Sequence, residues 1–302
     1  MLPSNSWAWY EPRFGFPIFK GVRTLVSFSV RPDYQPLQLR RMHLGLVTAA
    51  RRGPAELIRF GRERLDLALF CRSRSLRFRL LLLTRCGRYL ATHRYDDAVP
   101  PGGSIDVDVD AARKARDLPD DDMMGILVMT NGRHDAFRSS PGSYSMTYVG
   151  DTTYSTYRTG GFARLLNERN RKKHYGFRGI NPKIIVDDIY TSSILLINHS
   201  SDPAYDEAAA PQCVLLREDG ESIEAPFGTI PAFGGLERSM EDLFGGRAQE
   251  LLAAAGGRGT TVITCPGVTL ASLHLVRRRD GASMAIEHSR PTHTYLLHGV
   301  PV

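Results

Sequence analysis

Four of the nine histidines fall within the last thirty residues, at His274, His288, His293 and His298. Two of them share a short stretch with a carboxylate and a guanidinium, which makes Glu287, His288, Arg290 and His293 the first candidate site. Imidazole titrates near neutral pH and both donates and accepts hydrogen bonds, so this set suits an acidic or hydroxylated ligand. Three converging side chains of this kind would instead hold a transition metal, but the spacings match no zinc motif. The second concentration is the polar loop that holds Asn198, His199, Asp202, Tyr205 and Asp206 between two apolar runs. Such a loop at the end of a rigid scaffold can hold a sugar or a cation. It can equally close on itself through Asx turns.

Signatures of catalysis are missing. The chain has no GxSxG elbow, no phosphate-cradling glycine loop and no HExxH, and Gly256–Gly259 lacks the lysine of a P-loop. Asp106, Asp108 and Asp110 alternate along one strand, where successive same-face residues lie about 7 Å apart. That is too wide for one calcium ion bound at about 2.4 Å, so they read as a solvated face. Cys71, Cys86, Cys213 and Cys265 have no metal-ligand spacing and read as reduced thiols. No metal and no cofactor is expected.

The case for the His288 stretch is an internal repeat. SMAIEHSRPTHTY, residues 283–295, and SMTYVGDTTYSTY, residues 145–157, both run Ser-Met, nine residues, Thr-Tyr. Upstream the order repeats, with Gly87 and Gly220 at expected hairpin turns, then a proline and paired glycines at Gly102–Gly103 and Gly234–Gly235. On that pairing Val149, Gly150, Thr152 and Ser155 of the first copy face Glu287, His288, Arg290 and His293 of the second. Positions that differ between copies are not dictated by the shared fold, so the later copy has gained titratable groups.

The elements that must position these residues are short strands. Residues 24–30 alternate, and Leu76, Phe78 and Leu80 face a core while Arg77 and Arg79 face away. Ile105–Asp110 alternates most cleanly, Gly125–Thr130 reads as a buried strand, and helical insertions are expected at 111–116 and 237–255. Turn signals every 8 to 12 residues and no long helices between strands point to an all-β fold, two tandem β-sandwich (Ig-like) domains. The expected boundaries are an N-terminal extended arm with one or two strands over 1–60, a first sandwich over 61–163, a basic linker over 164–182 and a second sandwich over 183–302. The arm crowds Trp7, Trp9, Tyr10, Phe14, Phe16 and Phe19 between prolines and reads as packing over a core edge.

A chain of 302 residues with 42% hydrophobic and 24% charged content is long enough for two such domains. The net charge of +7 is uneven, with +13 over residues 1–180 and −6 over 181–302. Nearly all the cations are arginines, and nucleic-acid binding is not favoured on charge alone. The charge split instead suits self-association, head to tail. No apolar run is long enough to span a membrane, and the opening residues lack a basic stretch followed by an apolar one, so the expected compartment is the cytoplasm. The leading expectation is a non-catalytic binding or interaction protein with a protein or carbohydrate-like ligand on its second domain. The alternative is a metal-assisted hydrolase or lyase using second-domain histidines and carboxylates.

Overall fold

The computed structural model describes residues 13–30, 75–130, 142–159, 177–200, 205–268, 270–288, 290–291, 296–297 and 300–301. The first sandwich is built from β1 (Arg13–Ile18), β2 (Arg23–Val30), β3 (Arg77–Thr84), β4 (Tyr89–Arg94), β5 (Ser104–Asp108), α1 (Val109–Lys114), β6 (Met123–Thr130), β7 (Gly142–Val149) and β8 (Tyr154–Thr159). One antiparallel sheet has the order β1-β6-β3-β4 and the other β5-β2-β7-β8. Val26, Phe28 and Val30 of β2 point inward on alternate residues, and the Phe28 ring meets Phe14 and Phe78, with Tyr144 packed on Phe14. Period-two patterning therefore sets which face of β2 is dry.

The second sandwich comprises β9 (Phe177–Ile185), β10 (Tyr190–Ile197), β11 (Gln212–Leu216), β12 (Ser222–Pro226), β13 (Gly235–Ser239), α2 (Met240–Phe244), α3 (Gly246–Ala253), β14 (Arg258–Cys265), β15 (Ala271–Arg278), β16 (Met284–His288) and β17 (Arg290–Pro291). Its sheets run β12-β11-β14-β9-β17 and β13-β10-β15-β16. Apart from β17, every strand has the same neighbours as its counterpart eight strands earlier. The likeness extends to single hydrogen bonds. Val30 and Gly103 are joined N–H to O at 2.8 Å as Asn198 and Gly234 are at 2.9 Å, and Gly102 and Phe233 donate to the carbonyls of Val30 and Asn198. The turn glycines Gly87 and Gly220 donate to Thr84 and Arg217, and the helices that follow β5 and β13 are capped by the side chains of Asp108 and Ser239.

These anchors correct the pairing read from sequence. Ser145 lies on β7, whose counterpart is β15, whereas Met284 opens β16, the counterpart of β8. Ser145 therefore matches Leu273, and the Ser-Met…Thr-Tyr echo is a coincidence of composition. The N-terminal stretch is also not an arm outside the repeat. β1 and β2 are integral strands of the first sandwich, and β2 is hydrogen-bonded on both sides. The intervening stretch 31–76 is much longer than its counterpart 198–211, which hid this. The boundary expected at residue 182 falls inside β9. Paired glycines shift by one as well: Gly102 matches Phe233, and both adopt positive φ, 82° and 60°. The expected arm tryptophans, Leu44–Thr48, and residues 160–176 of the expected linker lie outside the described residues.

The two sandwiches are fused face to face. In β3 and β6 the apolar pattern does not alternate but runs on, as RFRLLLLT and MMGILVMT, which is the mark of a sheet buried on both sides. One side closes on the β5-β2-β7-β8 sheet. The other joins Leu195, Ile197, Leu273, Leu275 and Ile286 of the second sandwich in a single hydrophobic cluster, while Ile194 and Leu196 face the second core. Backbones approach closely along this seam. Gly235 donates its N–H to Arg85 O at 2.9 Å, and a Cβ on Gly87 would come within 2.2 Å of Ala232 O. Phe19 sits between two guanidiniums, Arg85 at 5.2 Å and Arg277 at 5.5 Å from its centroid. Arg277 is fixed by an ion pair with Glu237 and by Ser193. β8 and β16 also touch, through Ile286 N–H to Ser155 Oγ at 3.1 Å.

Candidate functional site

The structure separates the two expected clusters. Asn198 is wholly buried and spends its side chain within the fold, donating to the carbonyls of Glu207 at 2.8 Å and Ile230 at 3.1 Å and accepting from the Tyr205 hydroxyl at 2.7 Å. His199 is 5% exposed and lies on Gly15 of the first sandwich, where a Cβ would meet its ring at 3.2 Å. Tyr205, also 5% exposed, packs edge-on against Phe233 at 5.9 Å. These three residues form a corner of the seam between sandwiches. Asp206 is exposed, and Asp202 lies outside the described residues.

His288 is across two strands from that loop. It pairs with Leu273, which pairs with Leu195, so about 10 Å of sheet lies between His288 and β10, and Asn198 is three residues further along. The face it shares with Ile286 is the one turned toward the first sandwich, not the core of the second. Glu287 points to the other side. Arg290 belongs to β17, whose backbone pairs with Ile180, so the chain leaves one sheet at His288 and joins the opposite one two residues later. His293 lies outside the described residues.

Beneath this crossover the corrected register shows a contrast that sequence reasoning missed. The hairpin anchor equates Leu82 with Leu215, hence Gly125 with Thr261, Phe16 with Asn181 and Phe14 with Gly179. The helix-cap anchor equates Leu25 with Ser193, hence Met146 with His274, Tyr144 with Ser272 and Tyr157 with Glu287. Where the first sandwich has Phe14, Phe16, Tyr144, Met146 and Tyr157, the second has Gly179, Asn181, Ser272, His274 and Glu287. Bulk and aromaticity give way to small hydrogen-bonding groups.

These groups are ordered. Asn181 Nδ2 donates to Thr261 Oγ1 at 3.1 Å, and both are buried. His274, 3% exposed, has Nε2 at 3.2 Å from Ser192 Oγ, which also accepts the Ile185 N–H at 2.8 Å. Burial pushes the His274 imidazole down to about 4, against a raising influence from Glu287, so the ring is neutral at physiological pH. At the rim Lys183 Nζ pairs with Glu287 at 2.9 Å and holds its carboxyl below the usual carboxylate range.

Serine, histidine and glutamate together have the composition of a nucleophilic triad. Ser192 and His274 are nevertheless sealed from solvent, and Ser192 Oγ already accepts a backbone N–H, so this pair does not present a nucleophile to a substrate. Among the described residues no three His, Cys, Asp or Glu side chains converge to hold a metal ion. Burial raises the thiol of Cys213 to about 12, far from a reactive thiolate. No helix among the described residues is long and apolar enough to cross a membrane.

No family model and no curated protein matches the chain. Solved structures that it matches include a beta-glucuronidase of Bacteroides uniformis, 10% identical, covering 95% of this chain and 28% of that chain with a TM-score of 0.16. A glycosyl hydrolase family 2 member from Bacteroides cellulosilyticus is 8% identical, with 92% and 26% of the two chains covered and a TM-score of 0.16. A glycoside hydrolase family 2 beta-glucuronidase is 10% identical, with 93% and 24% covered and a TM-score of 0.18. The chain spans about a quarter of the length of these proteins, and likeness at this level carries no argument about what it does.

Proposed function

We propose that this is a non-catalytic binding protein whose second sandwich takes a small hydroxylated, carbohydrate-like ligand at the polar edge where Lys183 of β9 meets Glu287 and His288 of β16. The observation that carries the reading is the replacement of Phe14, Phe16, Tyr144 and Met146 by Gly179, Asn181, Ser272 and His274 at matched positions of one frame. The frame tolerates rings there, so it does not itself require polar groups. Asn181, Ser272 and His274 are themselves buried, so a ligand would meet the exposed Glu287 and His288 above them, side chains that hydrogen-bond hydroxyls readily. The neutral His274 and the mutually compensated Lys183–Glu287 pair favour an uncharged ligand over an ionic one. Glu287 and His288 are exposed at this edge, where they would contact the ligand's outer side.

A panel of neutral mono- and oligosaccharides screened by thermal shift and by glycan microarray tests this. Binding that is lost in Ser272→Tyr and His274→Met, residues that the first sandwich carries at these places, with the melting point retained, supports the reading. No response to any neutral saccharide, or equal binding by both variants, rejects it.

A further inference from the structure

We infer that the outer face of the β12-β11-β14-β9 sheet binds a second copy of this chain, the two sheets packing face to face about a two-fold axis. On the first sandwich the seam is made by the face that bears Gly15, Leu81, Leu83 and Ile126, with His199 seated over Gly15. The hairpin anchor places Ile180, Val214, Leu216 and Val262 at the same four positions of the second sandwich. They point away from their own core, since Cys213, Leu215 and Ile263 alternate with them and face inward. Each is half-exposed, and none belongs to either hydrophobic cluster. Val214, Val262 and Ile180 are directly opposite one another in register, so the patch is continuous across three strands. A sheet face that met only water would carry polar side chains at its centre.

A seam repeated from copy to copy would need an oily receiving face, which Leu195, Leu273 and Ile286 supply inside the chain. On the free face of the first sandwich those positions are Ser27, Ser145 and Thr156, so copies cannot chain head to tail in that way. The seam's own geometry is barred as well. Ile180 stands where Gly15 admits the His199 ring, and even a Cβ on Gly15 would lie 3.2 Å from it. The charges at the margins of the patch suit pairing with itself. Glu224 is exposed on β12 beside Val214, and Arg178 lies on β9, three strands across the same face. Aligned sheets related by a two-fold axis along their strands lay β12 of each copy over β9 of the other. Each Glu224 then stands against the other copy's Arg178, and the two apolar rows meet between them. Four strands about 4.8 Å apart and five residues long give a face of roughly 300 Å². That is small for a protein interface, so the dimer is one that dissociates on dilution. None of this depends on the saccharide reading.

The test is sedimentation equilibrium of the full chain over concentrations from about 1 to 200 μM. Wild type should pass from the monomer mass of 33.6 kDa toward twice that value as concentration rises. Val262→Lys should stay monomeric with its melting transition kept. Glu224→Arg and Arg178→Glu should each weaken the dimer about tenfold or more, because like charges then meet at both ends of the interface. Glu224 is exposed, so its reversal reads the interface even where Val262→Lys fails to fold. Mixed in equal amounts, the two charge-reversed variants should pair again as tightly as wild type, since opposite charges then meet at both ends. That recovery belongs to a two-fold interface alone. Wild type that keeps the monomer mass at every concentration would overturn the inference, whatever else covers the face. So would a dimer that survives in both Val262→Lys and Glu224→Arg, or a mixture that fails to recover.

Discussion

His274 occupies in the second sandwich the place that Met146 occupies in the first: each pairs across its strands with the residue that matches in the other copy, Ile194 and Val26. The shared frame therefore accepts a methionine at this place.

The cost of the histidine should be visible in acid. The folded value of about 4 lies below the ordinary 6.5, so the unfolded chain takes up the proton first. Stability is then unaffected above about pH 6.5 and falls as pH drops toward 4, by roughly 3 kcal/mol below that point. Denaturant titrations at pH 7.5, 5.5 and 4.0 should show this slope in wild type and a flatter one in His274→Met. Parallel slopes would mean that the ring is protonated in the folded protein.

Two glycines that match in the repeat should respond differently to the same change. Gly87 and Gly220 both have positive φ, 80° and 95°, but an added Cβ meets Ala232 O at 2.2 Å in the first and nothing within 4 Å in the second. Gly220→Ala should cost about 1 kcal/mol from backbone strain. Gly87→Ala should cost about 2 kcal/mol more, since the seam must part to admit the methyl. Chemical denaturation of the two variants side by side measures the difference.

Arg277 joins Glu237, Ser193 and the Phe19 ring across the seam. Arg277→Ala should lower stability by about 2 kcal/mol, chiefly by leaving Glu237 partly buried without its cation. The adjacent Arg278, half-exposed and paired with Asp280 at 3.3 Å, should be within about 0.5 kcal/mol of wild type when changed to Ala. Equal effects would show that the seam does not depend on this contact.

Asn198→Ala should act as a folding variant rather than a binding one. It leaves the Tyr205 hydroxyl and the carbonyls of Glu207 and Ile230 without their partner inside the protein, at a cost of about 2 to 4 kcal/mol. Circular dichroism melting should fall markedly while any saccharide affinity of the folded fraction stays the same.

The repeat was legible because turns leave strong marks: Gly87, Gly220 and the Pro-Gly corners occupy matching places. Its register was not, because Phe233 takes the conformation of Gly102 and so breaks the glycine pattern by one, and because the stretch 31–76 displaces β1 and β2 from the rest of their sandwich. The seam was signalled by the unbroken runs in β3 and β6, although an apolar run alone does not say what covers its second face. Of the expected site, Glu287 and His288 stand exposed on β16 at the edge now proposed, and Arg290 follows on β17. The polar floor of Asn181, Ser272 and His274 escaped notice because each residue is unremarkable until matched to the aromatic it replaces.

Because the inner sheets of the two sandwiches share one apolar seam, neither half is a natural unit for expression. A fragment ending near residue 163 would show water the wide oily face that Leu195, Ile197 and Leu273 otherwise cover, and would be expected to clump. Truncation cannot assign roles to the halves of this chain; point changes in the intact molecule must.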